Sequence, residues 1–309
     1  MRHCKKASNI PIHKQVQNNR GIALVLTLMV VSIITAMVVE FVYGVYVSTN
    51  ALHNWQVSRE LSLAADSATR LGARLVSEKA GLLSYTPPGA FEIAQKIPFE
   101  EIDGTIAIRI EDENARFNVN NLVYATGGPN TVAISAFVRL LNALGLRPDI
   151  ADRVIDWIGP PNSIPRIADS KNLTKNAKLD SIDELLLIPG IGEDAFERLR
   201  PYVTIYGNNI ININTAEVPV LMSLSDKIDK GTAANVVGYR ERTPFQMPTD
   251  ILQVAGFQTV GASVQGYISV RSNTFRITAT ASSGDIKRII ESVMYIAGPT
   301  QTVNYWREY

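Results

Sequence analysis

Three carboxylates, Asp149, Asp152 and Asp156, follow one another at spacings of three and four, which places them on one face of a helix. Together with Asn118, Asn120 and Asn121 earlier in the chain they are hard oxygen donors of the kind that hold calcium, an ion taking about six to eight oxygens. A solvated helix face and helix caps account for the same residues with no ion at all.

Histidine excludes more than it offers. The three are His3, His13 and His53, and only His53 lies beyond the first 20 residues. The large part of the chain therefore has neither a His-Cys zinc site nor a Ser-His-Asp triad. No Walker-type or dinucleotide glycine pattern occurs. Leu187-Ile-Pro-Gly-Ile-Gly192 followed by Glu193-Asp194-Ala-Phe-Glu-Arg198 is a helix-hairpin-helix signature. In DNA-binding hairpins the glycine amides receive a phosphate. Here Glu193 and Asp194 suit the helix dipole and repel a phosphate, so a structural hairpin is the expectation and a membrane-anchored DNA-binding protein the alternative.

These residues hang from an N-terminal apolar run. Arg20-Gly21 precedes Ile22 to Val39, which holds no charged residue and is long enough to begin a membrane span. Residues 1–39 contain Arg2, Lys5, Lys6, Lys14 and Arg20 and no acid. With those five removed from the 30 basic residues, 25 remain against 29 acidic ones, which argues against a nucleic-acid surface on the rest. Positive flanks stay cytoplasmic, so the chain beyond about residue 43 is expected outside. The single cysteine, Cys4, lies ahead of the span, so the exported part has no disulfide.

From Ile22 to about Ala80 there is no proline, and Val57, Leu61, Ala64, Ala68, Leu71 and Leu75 continue as a helical stripe. Gly44 and Gly72 are candidate soft points in that helix. Strands are expected at Thr105–Ile110, Tyr267–Arg271, Phe275–Thr280 and Arg288–Ile296, forming a small antiparallel sheet against the helix. Between them residues 117–262 read as mostly helical and faintly duplicated. Phe117-Asn-Val-Asn-Asn121 resembles Ile211-Asn-Ile-Asn-Thr215, and Asp183-to-Ile191 resembles Thr249-to-Phe257.

Taken together, these features resemble the K-class minor pseudopilins of type II secretion. Arg20-Gly21-Ile22 is similar to the prepilin cleavage site. The body is similar in the run Arg116-Phe-Asn-Val-Asn-Asn-Leu122, the helix Ala151-Asp-Arg-Val-Ile-Asp-Trp157, the Ser181-to-Tyr202 hairpin and Ile211-Asn-Ile-Asn-Thr-Ala216. Leu26, fifth after the cleavage point, stands where major pilins and pseudopilins carry glutamate and this class does not. One departure follows Trp157, where the family has an acidic, tyrosine-containing stretch and this chain has Gly-Pro-Pro-Asn, and it bears on the family-type calcium site.

The resemblance implies an α+β pseudopilin fold, a long N-terminal helix on a small antiparallel sheet, with a large helical insertion containing two SAM-like or helix-hairpin-helix modules. Its parts would be a leader over 1–21, the long helix over 22–80 with its span about 22–42, a head made of 81–116 and 263–309, and the insertion over 117–262 in modules of about 117–206 and 207–262. It implies a non-enzymatic inner-membrane protein with its head in the periplasm, at the tip of the pseudopilus. The partners implied are the I- and J-class minor pseudopilins, the major pseudopilin, the prepilin peptidase that cuts after Gly21 and methylates the new N-terminus at Ile22, and the inner-membrane assembly platform. N-terminal sequencing of the protein from membranes of cells with an active prepilin peptidase is expected to begin at Ile22. A terminus still at Met1 would overturn the processing.

Overall fold

The computed structural model describes residues 19–89, 91–97, 103–161, 164–167, 174–298 and 300–309. The expected leader lies almost wholly outside them. Two units divide the chain, residues 1–56 and 57–309.

Helix α1 runs Asn19–Leu82. Its residues 22–47 expose apolar side chains all round, and among the described residues it is the one helix long and apolar enough to cross a membrane. Three hydroxyls in that stretch are tied back to the helix: Thr27 donates to the Leu24 carbonyl, Ser32 to Leu28 and Thr35 to Val31, each at 2.8 Å.

In the second unit α1 turns a different face inward. Leu61, Ala64, Ala65, Ala68, Thr69 and Ala73 are buried, whereas Leu71 is 49% exposed, so the inward stripe runs through small residues rather than through the expected leucine. The sheet it meets has the order β1-β2-β7-β8-β9, antiparallel throughout. The strands are β1 (Phe91–Lys96), β2 (Thr105–Asp112), β7 (Thr274–Ser283), β8 (Ile286–Ala297) and β9 (Thr300–Glu308). Ile108, Ile110, Ile277, Ala279, Ala281 and Ile290 close a core over α1, each large aliphatic contributing about 1.5–3 kcal/mol. The edge strands β1 and β9 were not foreseen, because their side chains are mostly exposed and their sequences lack a clean apolar alternation.

The helical insertion leaves the sheet after Asp112 and returns at Thr274, and Asp112 pairs with Phe275 in the β2–β7 register. It therefore occupies the place of a hairpin loop between neighbouring strands. Its first module spans β3 (Phe117–Asn118), α2 (Thr131–Ala143), α3 (Ile150–Ile158), α4 (Glu193–Leu199) and β4 (Val203–Thr204); β3 and β4 pair in parallel. The second repeats the order with β5 (Ile211–Asn212), α5 (Val218–Ser223), α6 (Lys230–Arg240), α7 (Phe257–Val264) and β6 (Ile268–Ser269), again with its end strands parallel. Thus Ile268 and its neighbours, expected in the antiparallel sheet, close the second module instead. A five-residue β-prone word cannot say which partner it will take.

The repeat extends to single hydrogen bonds. Asn118 Oδ1 accepts from the Asn120 amide and Asn212 Oδ1 from the Asn214 amide, each at 2.9 Å. Asn120 then exchanges two bonds with the Leu179 backbone at 2.8 and 3.0 Å, as Asn214 does with Phe245 at 2.9 and 2.8 Å. Both modules share one continuous apolar core, from Phe117, stacked on Phe137 at 5.3 Å, to Val270.

Gly72 is a point of close approach rather than a soft point. A Cβ there would lie 2.9 Å from Ile277 Cγ2 and 3.2 Å from Ile108 Cγ2. Gly72→Leu is expected to lower stability by roughly 1–3 kcal/mol in denaturant titration, although replacing a helical glycine ordinarily helps. An unchanged midpoint would mean that α1 can lift off the sheet without loss.

Candidate assembly site

The first candidate element is the cleavage junction. Gly21 and Ile22 lie in the first turn of α1, where the leading backbone N–H groups have no partner within the helix, so this turn is the easiest to open. Ile22 is 62% and Leu26 55% exposed, and an added Cβ on Gly21 would meet nothing within 4 Å. No charged side chain follows until Glu40, after which Phe41, Tyr43 and Tyr46 stand exposed as an aromatic belt stands at a membrane surface.

The second element joins head and insertion, and it is built on Asp112-Glu113-Asn114. Asp112 caps the 3-10 turn Glu113–Ala115, its Oδ1 accepting from the Asn114 amide at 2.8 Å. Its Oδ2 accepts from Asn212 Nδ2 at 3.0 Å and from the Thr215 and Ser272 hydroxyls at 2.5 Å each. Burial pushes the Asp112 carboxyl above its ordinary value, against the opposing pull of Ser272, Thr215, Asn114 and Asn212. Glu113, 0% exposed, accepts from Arg116 at 3.1 Å, from Arg276 at 2.7 Å and, on its other oxygen, from Thr204. Arg276 also pairs with Glu291; burial pulls its guanidinium down, but Glu113 and Glu291 hold it above its ordinary range. Burial lifts the adjacent Tyr206 hydroxyl to about 12, so it stays neutral. Asn114 Oδ1 receives the amides of Asn273 and Thr274, where the chain re-enters the sheet. Nothing in the sequence around this stretch points to Thr204 or Arg276 as partners.

Asp149, at the N-cap of α3, and Asp152 and Asp156 within it all have partners. Asp149 Oδ2 is met by Arg147 at 2.6 Å and Arg153 at 3.1 Å, and Asp152 by Arg166 at 2.8 Å. Asp156 accepts the Arg166 and Ile167 amides at 2.9–3.0 Å. Asn118, Asn120 and Asn121 face the 179–209 segment instead, Asn121 only through a 3.4 Å bond to the Gly207 carbonyl. Lys175 bridges Asp180 at 2.6 Å and Glu184 at 2.8 Å; burial opposes its charge, and those two carboxylates outweigh it and raise its pKa.

Both hairpin turns are occupied from within. Gly190 has φ +88°, and Arg153, which donates to the Pro189 carbonyl at 2.8 Å, fills the space a Cβ would need. Gly256 has φ +93°; Asn235 donates to the Ala255 carbonyl at 3.2 Å, and the Gly256 amide is taken by Gln258 at 3.0 Å.

Comparison with known proteins divides the chain where the structure does. Two models described as "Type II secretion system (T2SS), protein K" match residues 115–208 and 211–271, the two modules in turn. A relative from Pseudomonas aeruginosa, named Type II secretion system protein K, is 28% identical over 305 residues, covering 90% of this chain and 89% of that protein. One of the same name from Pectobacterium carotovorum is 23% identical over 308 residues, covering 90% and 93%. Among solved structures, a chain of the GspK-GspI-GspJ complex from the enterotoxigenic Escherichia coli type 2 secretion system superposes with a TM-score of 0.65 at 20% identity, over 84% of this chain and 99% of that one, a likeness of fold.

Because the folded-state pKa of Asp112 is raised above 3.8, its contribution to stability is fully present below that pH and is lost as pH rises through the folded value. Asp112→Asn does not titrate. Denaturant titrations between about pH 4 and pH 8 are expected to show wild type losing stability relative to the variant as pH rises. The reverse trend would mean that the four hydrogen bonds outweigh burial.

Proposed function

This chain belongs to the type II secretion system protein K family, and from that premise we propose that it initiates or caps the pseudopilus at its tip. It is a minor pseudopilin, a structural component of the secretion apparatus, with a helix fit to anchor it in a membrane. The leader is removed after Gly21, Ile22 becomes the methylated N-terminus, and the anchor crosses the inner membrane with its start in the cytoplasm and its head in the periplasm.

Leu26 carries the tip assignment. In a stacked helical assembly a glutamate at that position neutralises the N-terminal ammonium of a neighbour within the bilayer, where an unpaired charge costs at least about 2.5–3.5 kcal/mol. A subunit with none above it needs no such carboxylate, and Leu26 supplies none. An insertion between Asp112 and Thr274 also gives the head far more bulk than a short hairpin would.

Its partners in this reading are the I- and J-class minor pseudopilins, the fold relative being solved in complex with GspI and GspJ. Prepilin peptidase, the major pseudopilin and the assembly platform are met in sequence during export. The hairpins serve as internal structure and not as a nucleic-acid surface. Arg153 and Gln258 fill their turns, and Glu193 and Asp194 repel a phosphate.

Full-length protein extracted in detergent is expected to co-purify with the I- and J-class minor pseudopilins of its own system. Antibody against the insertion is expected to label only the ends of overproduced pseudopili. Labelling along the fibres, or failure to associate with either partner, would overturn the tip assignment.

A further inference from the structure

The first module carries a segment that the second lacks. Twenty residues separate Ile158, the end of α3, from Leu179, whereas four separate Arg240, the end of α6, from Phe245, the residue equivalent to Leu179. A connection of that length has a closure entropy to overcome, and it needs anchors. The sequence suggested calcium, with Asp149, Asp152 and Asp156 as ligands. Among the described residues the donor set does not fit that ion. Calcium needs about six to eight oxygens turned inward on one point, whereas Asp149 is taken up by Arg147 and Arg153, and Asp152 and Asp156 are both taken up by Arg166.

Arg147 and Arg153 hold Asp149, Arg166 holds Asp152, and Asp156 is spent on two backbone amides. Three guanidinium groups thus stand beside three carboxylates, which leaves no net negative field to draw in a dication. Among the described residues no group of three or more His, Cys, Asp or Glu side chains is placed to hold a metal. At the far end of the segment Lys175 Nζ bridges Asp180 and Glu184, and the Lys175 and Asn176 amides both reach the Trp157 carbonyl at 3.0 and 2.9 Å.

We propose that this protein ties the described parts of this connection, residues 164–167 and 174–178, with its own cations, Arg166 and Lys175, in place of a divalent ion, so that the module folds without calcium. Asp156 supplies the fixed point on α3, being only 7% exposed and accepting three N–H bonds from Arg166 and Ile167. Arg166 follows two residues after Ile164, within the segment itself. The tie therefore arrives with the chain it secures, and an entering metal ion would have to displace that positive charge first.

Thermal unfolding of the full-length protein in detergent, in excess calcium chloride and in EGTA, tests the first half. Midpoints within about 2 °C are expected, whereas a saturating ligand shifts a domain of this size by more; a larger calcium-dependent rise overturns the proposal. The double variant Arg166→Met, Lys175→Met tests the second half. Proteolytic cleavage within residues 159–178 is expected to run at least about threefold faster than in wild type, in line with modest, part-exposed ion pairs. Unchanged cleavage would show that the two cations hold nothing. The calcium comparison on wild type decides the first half whether or not the double variant folds.

Discussion

A carboxylate sealed from water has to be met by charge, and Glu113 is such a group. Its partners are Arg116 three residues on, Thr204 at a separation of 91 and Arg276 at a separation of 163. Those three belong to the turn itself, to the closing strand of the first module and to the sheet. Removing one partner of such a buried pair costs about 3–5 kcal/mol, so the three segments have essentially one arrangement available. Asp112 next to it extends the same constraint to the second module through Asn212 and Thr215, and to the returning chain through Ser272. A few consecutive polar residues thus set where a large insertion stands on a small sheet.

The insertion itself solves one problem twice. Each module opens with a short strand whose asparagine caps the turn that follows, and a second asparagine two residues on exchanges paired bonds with a distant backbone segment. A carboxylate then receives two amides ahead of the hairpin: Glu184 those of Asp180 and Ser181, Asp250 those of Gln246 and Met247. Side-chain amides suit this role because one group both donates and accepts, and matches the backbone in geometry. The duplication is therefore sustained by hydrogen-bond geometry where identity has faded to a few short words.

Helix α1 changes composition along its length. In its first part large apolar side chains cover every face, and Thr27, Ser32 and Thr35 tie their hydroxyls back to the helix, as suits a medium without water. In the second unit the inward face passes from Leu61 to alanine, threonine and glycine, and at Gly72 the sheet approaches too closely for a larger side chain.

Much of this was legible in the residues themselves. The apolar run of α1, the hairpins and the asparagine words follow from local composition, since each signal lies within a few neighbouring positions. Strands β7 and β8 were readable because one of their faces is buried; β1 and β9 were not, since at a sheet edge the alternation fades. The aspartates of α3 were legible as a cluster but not in their role, because the arginines that meet them lie two to fourteen residues away and nothing local marks the pairing. Periodicity and near neighbours suffice for a long apolar helix and a duplicated helical insertion. What only the tertiary structure decided is which distant groups share a buried site. The pairing of Glu113 with Thr204 and Arg276, and the choice of β5 rather than the main sheet as the partner of Ile268, depend on contacts across more than fifty residues, and local pattern carries no information about them.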